Sequence, residues 1–299
     1  MQSPTVSYRL IDRRHAVDNR TLLSGPCELT AMDGAWSAGS SPVVGVVDPE
    51  DAASDAIGIG EALETAIVDA GGTISSGDLE DVLAADPSVL VTAGERALSA
   101  IARAGVDSPV LPVGPVSGIE SIDRDRLPDA LAAVLDGDSV RRSHPVLDVV
   151  LESTRDGEPA SVVDRERALF DVTLITDEPA RISEYGVRSR GEPVATFRAD
   201  GVVAATPAGS HGYASAIDTP QLSPAIDAIA VAPIGPFVTQ TRRWVLPHDE
   251  STFTVEREEG DVTLVVDGRS AGMVTPESRV VVAADGTLST LCVPDERLS

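Results

Sequence analysis

The hydrophobic period changes once along this chain, and that change constrains the fold more than any other feature. Up to about residue 138, short apolar runs alternate with stretches of helical spacing. "VVGVVD" (43–48), "SVLVTA" (88–93) and "SPVLPVG" (108–114) read as buried strands. "DAIGIGEALETAIVDAG" (55–71), "ERALSAIARAG" (95–105) and "RDRLPDALAAVLDG" (124–137) read as helices, each closing on glycine. Strands alternating with helices imply a parallel sheet covered on both faces. The second half has a different grammar. "ALFDVTLIT", "EPVATFRADG", "DGVVAAT", "DAIAVAPI", "STFTVERE", "DVTLVVDG" and "SRVVVAADG" are β-branched runs cut by Gly, Pro and Asp turns. The expected fold is α/β plus all-β, an N-terminal parallel-sheet domain followed by a β-sandwich-like one. The expected units are an N-terminal extension (1–41), an α/β domain (42–142) and a β-rich domain (143–299).

Charge narrows the function. Asp and Glu number 48 against 23 basic residues, a formal net charge of −25, and every basic residue is Arg. A surface without a single Lys suits solvation in molar salt, where the Debye length falls to about 3 Å and self-repulsion is screened. The expectation is a salt-adapted organism. No basic patch is present to displace counterions from phosphate, so nucleic acid is not an expected partner. No apolar run reaches the length of a membrane span and the N-terminus has no signal-peptide core, so no membrane partner and a cytoplasmic location are expected. Cys27 and Cys292 lie too far apart in sequence for a metal-binding pair.

Several chemistries fall away. A P-loop needs a Lys, and there is none. "GIGEAL" (58–63) begins like a dinucleotide-binding loop, but Leu63 stands at the third Gly and the segment lies inside a helical pattern. His15, His144, His211 and His248 are scattered, so no protein-bound metal is expected. "AGSHG" (208–212) is one residue from the serine-hydrolase elbow, with Asp227 and His248 following in order. An elbow needs a strand-to-helix turn, however, and Ser210 is followed by Pro220 and Pro224.

From Arg198 to Pro247 the chain resembles the NAD kinase family. "RADGVVAATPAGSHGY" (198–213) stands where that family has Arg-x-Asp-Gly leading into Thr-Pro-Thr-Gly-Ser-Thr-Ala-Tyr, and the spacing holds through "APIGPF" (232–237) and "VLP" (245–247). "RALFDVTLI" (167–175) resembles the strand carrying an Asn-Glu pair. "AGERA" (93–97) stands at the Gly-Gly-Asp-Gly-Thr motif. The resemblance runs from about Pro42 to Asp285.

It implies phosphorylation of the 2′-hydroxyl of the adenosine ribose of NAD to give NADP, with ATP or polyphosphate as donor, Mg²⁺ carried by the phosphates, and a homo-oligomeric assembly. Carried over by position, Glu95 is the catalytic carboxylate, and Gly94 and Arg96 flank it in the phosphate loop. Asp171, Arg181, Arg198, Asp200, His211, Gly212, Tyr213, Ala214, Ser215 and Ala216 are nucleotide-binding, with Tyr213 as the aromatic.

The departures fall on working residues. Glu95 is one methylene longer than the family's Asp, and Arg96 replaces a Gly, with loss of left-handed backbone freedom. Phe170 replaces the Asn of the Asn-Glu pair, while Asp171 keeps an acid. His211 and Gly212 replace Thr and Ala, and Phe237 replaces a His. Two readings stay open: an active kinase using Glu95, or a relative that binds nucleotide without transferring phosphate.

Overall fold

The computed structural model describes residues 34–35, 37, 39, 41–47, 57–154, 159–178, 181–238 and 242–297. Cys27 and nearly all of the N-terminal extension lie outside the described residues. A two-residue strand, β1 (Gly34–Ala35), precedes a β/α unit: β2 (Val43–Val47), α1 (Glu61–Asp69), β3 (Thr73–Gly77), α2 (Leu79–Ala84), β4 (Val89–Ala93), α3 (Gly94–Ala104), β5 (Val110–Val113) and α4 (Leu127–Leu135). The strands are parallel in the order β5-β4-β2-β3. Every residue of β4 and β5 is buried, as a strand covered on both faces requires.

Two apolar layers cover this sheet. On one side Leu63 and Ile67 of α1 and Leu127, Leu131 and Val134 of α4 pack on Val44, Val46, Val91 and Val113. On the other, Val82 of α2 and Leu98 and Ile101 of α3 pack on Val47, Leu90 and Val110. The same cluster takes in Val146, Leu169, Phe170 and Leu288 from the second half of the chain. Helix α3 is thus wedged between the two halves. The helix expected over 55–71 begins only at Glu61, with Ile57–Gly60 non-helical. Gly58 and Gly60 disfavour helix by about 1 kcal/mol each, and Gly60 is extended as the N-cap.

The second half is β throughout: β6 (Val140–Ser153), β7 (Ser161–Ala168), β8 (Asp171–Thr176), β9 (Ser183–Ser189), β10 (Glu192–Ala199), β11 (Gly201–Ala205), β12 (Ala228–Ile234), β13 (Trp244–Pro247), β14 (Ser251–Arg257), β15 (Val262–Val266), β16 (Arg269–Val274) and β17 (Ser278–Cys292). Among the described residues these strands form two sheets. The smaller runs β13-β12-β11-β8-β15-β16. The larger runs β10-β9-β14-β17 and continues into the parallel sheet, because β17 pairs with β6 along its length and meets β5 at Thr290–Val110. β1 and β7 both pair with β6. Beyond that junction Leu291 and Val293 join the core of the first half.

The two sheets face each other across one apolar layer. Leu147, Val149, Tyr185, Val187, Phe253 and Val280 come from the larger sheet, and Val172, Leu174, Val202, Ala204, Val231 and Leu264 from the smaller. Strict alternation in β8 sends Val172 and Leu174 into this layer. Asp171, Thr173 and Ile175 therefore lie on the outer face, opposite Ala205, Val203 and Gly201 of β11. A pair of 3₁₀ turns, Gly209–His211 and Tyr213–Ile217, covers part of that face through Ala214 and Ile217. Among the described residues no helix is long and apolar enough to cross a membrane.

Candidate functional site

Strand β4 passes into α3 with no loop, so the residues at the junction are fixed by both elements. Gly94 takes φ +81°, a left-handed conformation that a side chain would oppose. Arg96 sits two residues further on, still in the first turn, with ordinary helical backbone. The backbone freedom expected to be lost at Arg96 is therefore needed at Gly94, where glycine is present. Glu95, in the first turn, points its carboxylate across to the 114–119 loop, and Oε1 accepts the Ser117 N–H at 3.0 Å. The carboxylate also stands at the positive end of the helix dipole.

Facing Glu95 is Asp171, at the first residue of β8. The three residues leading into that strand are gripped from both sides. Asp267, in the β15–β16 turn, accepts the N–H groups of Leu169 (2.9 Å), Phe170 (2.8 Å) and Asp171 (3.0 Å), and also the Ser99 hydroxyl of α3 at 2.5 Å. Arg103 Nη1 donates to the same Ser99 hydroxyl at 2.9 Å. On the carbonyl side, the Thr206 hydroxyl donates to Leu169 at 2.6 Å and the Thr206 N–H to Phe170 at 2.9 Å. Burial lifts the Asp171 carboxyl from the ordinary range to about 7. The charge of Asp267 adds to this, the Thr173 hydroxyl at 3.4 Å opposes it, and Glu95 adds a further push. The charge of Glu95, in the first turn of α3, is thus felt by Asp171, on the outer face of the smaller sheet.

The 206–219 loop lies beside these residues. The Ser210 hydroxyl, fully buried, donates to the Pro207 carbonyl at 2.7 Å and accepts the Leu222 N–H at 2.9 Å, which leaves it no role as a nucleophile. His211 Nε2 lies 3.2 Å from the Leu222 carbonyl. A β-carbon on Gly212 would lie 3.6 Å from that of Ser117, so this loop borders the Glu95 loop directly. Tyr213 is half exposed, Ala214 buried, Ser215 bonded back to Gly212 at 2.7 Å, and Ala216 exposed. Phe170 is packed with Leu98, Ile101 and Ala208, so the position of the family's Asn is a core position in this chain.

Not all expected residues come together. Arg181 is exposed, paired with Glu178 at 2.7 Å and bonded to the Glu259 carbonyl. Arg198 lies over the Phe237 ring at 5.8 Å, and Asp200, raised in pKa by desolvation, packs against Gly235. These groups stand at the Gly201 end of β11, whereas Asp171 stands at its Ala205 end, roughly 15–20 Å away along the strand. Beside Arg198 a cavity of about 410 Å³ is lined by Glu184, Phe197, Arg198, Phe237, Arg242 and Trp244. Phe197 and Trp244 stack there at 5.7 Å. Asp267 is absent from the sequence-based set. Its only signal was an Asp-Gly pair between two strands, which reads as a hairpin turn.

Residues 169–289 match the family model of the ATP-NAD kinase C-terminal domain. An NAD kinase of Methanosarcina mazei is 34% identical over 116 residues, 38% of this chain. The chain spans 40% of the length of that relative. An NAD kinase of Methanoculleus marisnigri is 30% identical over 213 residues, covering 69% of this chain and 70% of that protein. Among solved structures, yeast NADH kinase complexed with NADH superposes with a TM-score of 0.68 at 17% identity, over 86% of this chain and 85% of that one. An Archaeoglobus fulgidus NAD kinase in complex with ATP gives 0.60 at 17% identity, over 86% and 95%. At those identities the likeness is one of fold.

Proposed function

The chain belongs to the NAD kinase family, and from that premise we propose that it phosphorylates the 2′-hydroxyl of the adenosine ribose of NAD, with MgATP as donor. The observation that carries this reading is the anchored carboxylate of Glu95 at the β4–α3 junction, held by the Ser117 N–H and close enough for its charge to be felt by Asp171. A sugar hydroxyl is a weak nucleophile, and in-line attack on a γ-phosphate asks the protein for positioning more than for covalent chemistry. Glu95 orients the hydroxyl from the first turn of α3. Gly94 leaves the backbone open to the phosphates at the same helix end. Arg96, exposed beside it, contributes a cation to the triphosphate. Tyr213 offers a ring edge to the dinucleotide, with His211, Gly212, Ala214, Ser215 and Ala216 shaping the wall around it.

Arg181, Arg198 and Asp200 fit the same reading through a second copy of the chain. They stand at the opposite end of β11 from Asp171. A homo-oligomer would present the Arg198 face of one protomer to the cleft of the next, and light scattering in molar KCl tests that assembly.

The activity test is NADP formation by the purified protein in molar KCl with ATP, Mg²⁺ and NAD. Glu95→Gln is expected to lower kcat by about 10²–10³-fold with little change in NAD affinity. Calorimetry that finds NAD bound without turnover in the parent protein would establish the binding-only reading instead. Arg96→Ala is expected to raise the KM for ATP by about tenfold and leave the KM for NAD in place. A uniform loss in both would remove Arg96 from the phosphate site.

A further inference from the structure

Glu95 is exposed, and an exposed glutamate is rich in rotamers through which its carboxylate can sweep. One bond opposes that motion: Oε1 accepts the Ser117 N–H at 3.0 Å. The donor is backbone, so the course of the 114–119 loop decides where the carboxylate stands. That loop has little room to move. At its base the Gly114 N–H donates to the Ile122 carbonyl at 2.8 Å, and the Ile122 N–H to the Pro112 carbonyl at 2.9 Å. Next to Ser117, Gly118 takes φ +67°, and a β-carbon there would overlap the Ala208 carbonyl. Ile119 is buried in the cluster that holds Leu98 of α3, Phe170 and Ala208. We propose that Ser117 is a positioning residue of the reaction: its amide sets where the Glu95 carboxylate stands, and only a side chain of glutamate length reaches it. The inference rests on the kinase reading and deepens it.

Side-chain length and loop position are matched. Shortening residue 95 by one methylene would draw the carboxylate back from 3.0 Å to roughly 4 Å from the Ser117 N–H, outside hydrogen-bond range. An aspartate there keeps the charge and loses the tether. With Oε1 held, the second oxygen keeps one direction, which is what orienting a weak nucleophile requires. A carboxylate free to rotate would take that direction only part of the time. The same loop also borders the 206–219 loop, where a β-carbon on Gly212 would lie 3.6 Å from that of Ser117. The carboxylate and the wall expected to hold the dinucleotide are therefore placed by one piece of chain. A shift of Ala208 would reach Glu95 through Gly118 and Ser117.

The test is steady-state kinetics of NADP formation in molar KCl for the parent, Glu95→Asp, Ser117→Pro and the double variant. Glu95→Asp is expected to lower kcat by roughly 10–100-fold, with the KM values for NAD and ATP within about twofold of the parent and the melting temperature unchanged. Ser117→Pro, which deletes the N–H, is expected to give a comparable loss of kcat. The double variant is expected to fall no further than the weaker single one, because both changes remove the same bond. Losses that multiply would show that the proline acts by disturbing the loop, and would overturn the assignment. Glu95→Asp as active as the parent, or more so, would overturn it as well and leave the kinase reading standing. No turnover by the parent would remove both. Should Ser117→Pro fail to fold, Glu95→Asp decides alone.

Discussion

Gly209→Ala is expected to unfold roughly 10 °C below the parent protein and to lose NAD binding. A β-carbon at Gly209 would overlap the carbonyl of Phe170, with its carbonyl carbon and Cα immediately behind. That carbonyl accepts the Thr206 N–H, and Gly209 N–H itself donates to the Thr206 hydroxyl at 3.1 Å. Neither side can retreat, because the opposite edge of the 169–171 segment is held by Asp267. Overpacking against backbone of this kind costs about 3 kcal/mol or more. The disturbed segment ends on Asp171, so binding fails with stability. Thermal scans and calorimetry on Gly209→Ala beside Ala208→Gly check this. A Gly209→Ala protein of normal melting temperature would show that the two loops are not packed as described.

The second large effect lies in acid. His144, buried on β6 with Nε2 2.9 Å from the Thr290 hydroxyl, has its pKa lowered by burial, and further by Arg142, from 6.5 to about 4. Between those values the unfolded chain binds a proton that the folded protein does not. Stability from this group is complete above pH 6.5 and is lost as pH falls towards 4, by about 3 kcal/mol at ~1.4 kcal/mol per unit. Asp171 works in the opposite sense. Its pKa is raised from 3.8 to about 7, so the cost of its buried charge is complete above pH 7 and disappears as pH falls towards 3.8, about 4 kcal/mol on the same scale. The two contributions offset each other in the parent. Replacing one exposes the other: Asp171→Asn is expected to lose about 3 kcal/mol relative to the parent's own trend between pH 6.5 and 4 once the Asp171 compensation is removed, and His144→Gln to move the other way. Urea unfolding at stepped pH in fixed KCl measures both. Parallel curves for the three proteins would show that neither group titrates as its burial implies.

Much of this molecule is legible in its sequence wherever burial writes a periodic pattern. β4, β5, β8, β11, β12 and β15 are dense in Val, Leu, Ile or Ala because they are covered on at least one face. β3 escapes the same reading: "TISSG" is an edge strand with no fully buried residue, so nothing selects for apolar side chains along it. α2, six residues long, carries one buried residue, Val82. β9 hides for a different reason, since "SEYGVRS" places Tyr185 and Val187 inward but breaks its run with Gly186. At the site, Glu95 and Asp171 were reached through family resemblance. Their facing geometry is a product of the packing of α3 between the halves, which no local pattern encodes. Asp267 could not be recognised at all, because its three partners lie nearly a hundred residues away in the chain. The separation of Arg198 and Asp200 from Asp171 follows from the length of β11, which a sequence match at constant spacing cannot express.

Strand β17 sets a timetable for the newborn chain. The first half exposes Val44, Val91, Leu111 and Val113 to a layer that Leu291 and Val293 help to close, and β5 meets β17 only at Thr290. When the ribosome has finished α4, those closing residues do not yet exist. At ~5–20 residues per second the half-made sheet waits roughly ten to thirty seconds for its last strand. During that interval its apolar edge is open to other nascent chains. Release at residue 277 would therefore do more than shorten the second half, since it would leave the first half permanently unsealed.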